Sequence, residues 1–184
     1  MSRFETEVLT QPENLEGLAL LNARWVQQGM ARATHRRIIL NMDSSESPVH
    51  GEQEGAADNG HFGCVCYHPL FAFNQFRDCE GAKPRPGNAH SARDWRGVLE
   101  PIVVRYERAR VRRYSRADAT FAKPEVYEYL EEHSFPYAIR LPSNQVPERK
   151  VQHLMKRPVV WYHDVKYQAK TWDQSRRVVA KSLP

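Results

Sequence analysis

At 184 residues and 41% hydrophobic composition, the chain can bury one sizeable core, which excludes wholesale disorder. Its opening Met1-Ser2-Arg3-Phe4-Glu5 lacks the basic-then-apolar pattern of a signal peptide, and no apolar run approaches the ~20 residues of a membrane span, so a soluble, cytoplasmic protein is expected. Lys and Arg outnumber Asp and Glu by 27 to 22, a net charge of +5 that favours a polyanionic partner, and three cysteines are too few for a disulfide framework.

Thr10-Gln11-Pro12-Glu13 predicts a helix start, with Thr10 as N-cap and Glu13 completing a capping box. Leu15, Leu18, Leu21, Trp25 and Met30 then recur near helical spacing, which predicts a packing face. A first strand covers 36–43, and the polar stretch 44–60 reads as a loop. Phe62–His68 predicts a second strand, with Pro69 limiting its regularity and Leu70–Phe73 continuing it as a bent or bulged element. Cys79–Lys83 predicts a third, and turns rather than helices between the three favour an antiparallel meander.

A helix follows over 92–108, with Trp95, Val98, Leu99, Ile102 and Val103 as its apolar positions. Val111–Asp118 is the fourth strand, Pro124 opens a helix to His133, and Phe135–Leu141 is the fifth strand. The order β-β-β-α-β-α-β predicts an α/β fold with a mixed sheet flanked by helices. Beyond Pro142 a short helix over 146–156 and strands at Val159–Tyr167 and Arg176–Ala180 are expected.

Two apolar strands end on acid: the first at Asp43 and the fourth at Asp118. Carboxylates at the ends of neighbouring strands are a common way to hold Mg²⁺ for phosphoryl chemistry. Arginines crowd the same strands: Arg36 and Arg37 before Asp43, and Arg105, Arg108, Arg110, Arg112, Arg113 and Arg116 running into Asp118. A third group, Arg176-Arg177 with Lys181, lies near the C-terminus. Arg36, Arg37, Arg112, Arg113, Arg116, Arg176 and Arg177 are the candidate contacts to a polyanion, which the resemblance described next implies to be DNA.

The order of elements, with acids ending the first and fourth strands, resembles the ribonuclease H-like fold. The local wording is more specific. Asp43-Ser44-Ser45-Glu46-Ser47-Pro48-Val49-His50-Gly51-Glu52-Gln53-Glu54-Gly55 resembles the first-aspartate motif of a bacterial insertion-sequence transposase family of the Asp-Asp-Glu (DDE) class. Asn59–Phe71, Arg85–Ala92, Arg116–Ala122, Tyr137–Asn144 and Arg176–Lys181 are similar to later segments of that family, in the same order. The resemblance implies DNA transposition, with Asp43 and Asp118 as the first two metal-binding and catalytic carboxylates and Mg²⁺ as the ion, Mn²⁺ being a substitute. It further implies element-end and target DNA as partners, along with a homo-oligomer or an intact transposase.

The family's third acid, a glutamate, lies downstream of the Arg176–Lys181 segment, and this chain stops at Pro184. The expectation is therefore a truncated copy that binds metal weakly and performs no strand transfer. Asn41 stands where the family commonly has an aspartate. The implied division is an N-terminal helical segment over 1–35, a partial ribonuclease H-like core over 36–144, and the start of a β-rich insertion over 145–184.

Other constellations carry less. Glu131, Glu132, Glu148, Asp164 and Asp173 follow Asp118 but read as solvated positions; one of the first two would serve a small metal-dependent nuclease. Cys64-x-Cys66 with His61, His68 and Cys79 departs from zinc-knuckle spacing, and the cysteines read as small buried hydrophobes. His50, Glu52 and Glu54 fit either outer contacts to the Asp43 site or a polar hairpin. Trp161, Tyr162, Tyr167 and Trp172 suit a buried cluster better than base stacking. The alternatives to a transposase core are a non-catalytic DNA-binding remnant that regulates an intact transposase, and the small nuclease.

Overall fold

The structure, a computed structural model, describes residues 3–32, 36–107, 109, 111–142 and 161–182. Its centre is a mixed five-stranded sheet. β1 (Arg37–Ser44) lies between β5 (Leu70–Phe73) and β7 (Arg112–Ala117); β6 (Cys79–Lys83) flanks β5, and β8 (Tyr137–Ile139) flanks β7. β1, β7 and β8 run parallel, whereas β5 is antiparallel to both β1 and β6. Taken in sequence, the five core strands are ordered 3-2-1-4-5 with the second reversed. That is the ribonuclease H-like arrangement anticipated above.

β1 alternates in burial, which sets the two faces of the sheet. Ile38, Leu40 and Met42 point into the core, where α2 (Trp95–Glu107) supplies Val98, Leu99, Ile102 and Val103. α3 (Pro124–Glu132) adds Val126, Tyr129 and Leu130 to the same core. Ile39, Asn41 and Asp43 therefore occupy the opposite face. Under α2, the buried Glu80 carboxylate accepts hydrogen bonds from Asn74 and Tyr106 at 2.9 Å each and pairs with Arg105.

The region of the expected meander differs: Phe62–Phe73 is two strands rather than one bent strand. β4 (Cys64–Tyr67) leaves the central sheet and forms a small one with β2 (Ser47–Pro48) and β3 (Ala57–Asn59), both inside the expected loop. Pro69 marks the hand-over, and Leu70–Phe73 is the strand that pairs with β1. Gly87 passes beneath the small sheet, where a Cβ would come within 2.3 Å of the Ala57 carbonyl oxygen.

The first helix departs most from expectation. α1 (Pro12–Arg32) has no buried residue, and Trp25 is 64% exposed. Met30 packs against the core, while Asn22 donates to the Cys79 carbonyl at 2.7 Å. Thr10 does not cap the helix as a capping box would: its hydroxyl donates back to the Thr6 carbonyl at 2.7 Å, after a π-helical turn at Phe4–Val8.

A hairpin of β9 (Trp161–Tyr167) and β10 (Arg176–Ser182) follows. Tyr167 and Trp172 join Tyr127 in a second buried cluster, the ordinary packing role expected of those aromatics, while Tyr162 is exposed. The Trp161 side chain and the helix expected at 146–156 lie outside the described residues.

Candidate active site

The pairing of β1 with β7 brings the two aspartates together. The parallel register runs from Arg37 beside Arg112 to Met42 beside Ala117. Asp43 and Asp118 are the next residues on the two strands, so the register sets them beside each other. Both extend the exposed phase of their strands, so they share the face opposite α2 and α3.

Neither carboxylate is buried. The desolvation that would force a buried strand-end acid to find a partner is not what holds them. Local backbone geometry does. Asp43 Oδ1 accepts from the Ser44 N–H at 2.9 Å. Asp118 is the N-cap of the short 3₁₀ turn Ala119–Phe121, and its Oδ1 accepts from the Thr120 N–H at 3.0 Å and the Thr120 hydroxyl at 2.5 Å. In each case one oxygen is engaged, and among the described residues Oδ2 accepts no hydrogen bond.

Arginines line the same face. Arg116 sits one pleat before Asp118 and beside Asn41, and Arg37 and Arg112 pair at the far end of the strands; all three are exposed, as is Arg36. Arg140 was not singled out from the sequence. It is the residue after β8, exposed and adjacent to Asp118, with its N–H donating to the Ala117 carbonyl at 3.2 Å. Its signal is the two-residue alternation that also exposes Ala138.

The remaining basic candidates divide. Arg113 is half-buried with its guanidinium 5.2 Å from the Phe135 ring centroid, on the core side of the sheet. Arg105 is drawn away to Glu80, while Arg108 and Arg110 lie outside the described residues. Arg177 is exposed and ion-paired to Asp164 at 2.9 Å. Arg176 differs from the exposed contact expected: at 7% exposure it is an interior residue, gripped by Glu131 and Asp173 and stacked near Tyr127 and Trp172. Its charge is already neutralised, so it does not present itself to phosphate.

The acids considered as stand-ins are placed as well. Glu131 is no solvated helix-face residue: it accepts from Arg176, Tyr137 and Gln174. The Arg176 guanidinium holds the Glu131 carboxyl below its ordinary range. Asp164 and Asp173 are committed to Arg177 and Arg176, Glu132 is exposed, and Glu148 lies outside the described residues. Glu52 and Glu54 stand beside Val65 in the small sheet, and His50 is exposed nearby. Cys66 is fully buried, Cys64 is half-buried, and burial pushes the Cys66 thiol up. Among the described residues no three His, Cys, Asp or Glu side chains converge as a metal cluster.

The sequence matches the model of a protein family, "Transposase DDE domain group 1", over residues 1–183. The chain belongs to that family. Among solved structures, this transposase-family chain is similar to the "Crystal structure of the Mos1 Strand Transfer Complex", at 16% identity, a TM-score of 0.34 and coverage of 67% of this chain. It spans 40% of the chain it matches there. No curated protein matches it. Among the described residues no helix is long and apolar enough to cross a membrane.

Proposed function

We propose that this chain is the part of a DDE transposase core that holds divalent cations against a DNA phosphate, with Asp43 and Asp118 as the ligands. The observation carrying this reading is the parallel β1–β7 register, which sets the two aspartates side by side on one face. Their chemistry fits Mg²⁺ or Mn²⁺: all-oxygen donors, exposed to water, each with one oxygen uncommitted. When bound, such an ion supplies electrophilic activation of a phosphodiester and of the group that attacks it. The protein's own share is orientation. Arg116 and Arg140 flank the pair and hold the DNA backbone by charge, while Arg36, Arg37 and Arg112 extend the positive track without reading bases.

Two carboxylates form an incomplete cage, and a third acid is absent from the described site. The 184-residue chain is accordingly expected to bind Mn²⁺ weakly and to perform no strand transfer by itself. The decisive measurement is Mn²⁺ binding by electron paramagnetic resonance in the wild type, Asp43→Asn and Asp118→Asn. Both substitutions should reduce occupancy; wild-type binding in both would refute the site.

The same exposed arginines support a second reading, a non-catalytic DNA-binding protein that regulates an intact transposase. It predicts salt-sensitive duplex binding that survives Asp43→Ala and weakens in an Arg112→Ala/Arg116→Ala pair. Mg²⁺-dependent DNA joining by the purified chain would overturn both the incomplete-core and the non-catalytic readings.

A further inference from the structure

We infer that Thr120 is a positioning residue for Asp118, setting which carboxylate oxygen faces a cation. This rests on the reading of Asp43 and Asp118 as cation ligands. Two donors from Thr120, the backbone N–H at 3.0 Å and the hydroxyl at 2.5 Å, converge on the same oxygen, Asp118 Oδ1. Among the described residues Oδ2 accepts nothing, so the carboxylate is turned with one oxygen committed and the other offered. A hydroxyl bond to a charged oxygen is short and strong compared with a neutral one.

The turn that carries Thr120 is itself fixed. Phe121 is completely buried in the main core, and its N–H donates to the Asp118 carbonyl at 3.3 Å. Thr120 is therefore held between an anchored aromatic and the end of β7. Its hydroxyl cannot drift without breaking the bond to Asp118. Among the described residues Asp43 has no equivalent side-chain donor, and its Oδ1 accepts only the Ser44 N–H. The two ligands thus differ in freedom: Asp118 is set in advance, and Asp43 adjusts. A carboxylate already in its binding rotamer loses less side-chain entropy on taking up an ion.

A simple N-cap would give Thr120 the same hydrogen bonds, so the test separates capping from positioning. Mn²⁺ affinity and thermal melting are measured on the whole chain for the wild type, Thr120→Val, Thr120→Ser and Asp118→Asn. Valine keeps the branched shape and removes the donor; serine restores it. The expected result is Mn²⁺ binding weakened about 10-fold or more in Thr120→Val, the scale seen when a partner of a metal ligand is lost, and near-wild-type binding in Thr120→Ser.

Wild-type Mn²⁺ affinity in Thr120→Val overturns the inference, whatever happens to melting, because the bond then serves only the turn. Equal weakening in valine and serine also overturns it, since packing rather than the hydroxyl would be responsible. Should the valine variant fail to fold, Thr120→Ala against Thr120→Ser is judged by the same criterion. If Asp118→Asn leaves Mn²⁺ binding unchanged, the ligand assignment fails and the inference falls with it. If Asp118→Asn weakens binding and Thr120→Val does not, only the role of Thr120 is lost.

Discussion

Two kinds of carboxylate coexist in this protein. Glu80 and Glu131 have both oxygens occupied by protein donors: Asn74, Tyr106 and Arg105 for Glu80, and Tyr137, Gln174 and Arg176 for Glu131. Asp43 and Asp118 engage one oxygen each, with their own flanking residues, and stand in water. The first kind fastens elements together: Glu80 ties β6 to α2, and Glu131 ties α3 to the β9–β10 hairpin. Among the described residues, the second kind ties nothing across the fold. An acid whose hydrogen-bonding capacity is exhausted within the protein has a structural role; one left half-coordinated at a strand end has capacity for a ligand.

The contrast is broken most severely at Glu80. Its side chain is fully buried against Arg105, so Glu80→Ala leaves a buried guanidinium without its counter-charge. The expected loss is about 3–5 kcal/mol, read as the denaturant midpoint at constant m-value. A loss below about 1 kcal/mol would mean that water replaces the carboxylate there.

Glu131 should come next. Glu131→Gln removes the charge from a bidentate grip on Arg176, and the expected cost is about 2 kcal/mol by the same measurement. Its pH dependence follows from the direction of its shift. Because the folded carboxyl titrates below the unfolded value of 4.5, its contribution is complete above that value and disappears as pH falls through the lower folded one. Melting temperature against pH should therefore fall less steeply on the acid side in Glu131→Gln than in the wild type.

Asp43→Asn and Asp118→Asn should have the smallest effect on stability. Removing one of two neighbouring like charges is expected to leave the melting temperature unmoved or slightly raised, while Mn²⁺ binding falls. A clear drop in melting temperature in both would place these aspartates with the structural acids and end the comparison.

Much of the scaffold was legible from periodicity. Ile38, Leu40 and Met42 alternate with polar or half-buried neighbours, which identifies β1 and the phase of Asp43; Val98, Leu99, Ile102 and Val103 similarly identify the buried stripe of α2. Pro124 marks the start of α3 because its fixed φ suits a first helical turn. The partner of β1 was harder. Phe62–His68 and Leu70–Phe73 are both apolar and extended, and nothing local says which of them enters the central sheet. Helical spacing also misled at α1: Leu15, Leu18, Leu21 and Trp25 form a stripe, yet all four are exposed. Periodicity shows that a face exists, whereas burial depends on what lies opposite.

The charged residues repeat this lesson. Arg176 and Arg177 are neighbours in the chain, and adjacent strand residues point to opposite sides. One is consequently interior and the other exposed, a difference that the dipeptide conceals. Thr120 carried a readable sign, since an aspartate two residues before a threonine at a helical start is a common capping pattern. Its bearing on a cation emerges only with Asp43 alongside.

By itself, the sequence determined most strands of the central sheet, the two helices packed on it, and the two strands that terminate in acid, because burial period is written within a few residues. Only the tertiary structure decided that those strands run parallel in register, that Glu131 and Arg176 are spent on each other across 45 positions, and that α1 leaves its apolar stripe in solvent. These are long-range pairings, and chain-distant partners are selected by packing of the whole fold, which no local window contains.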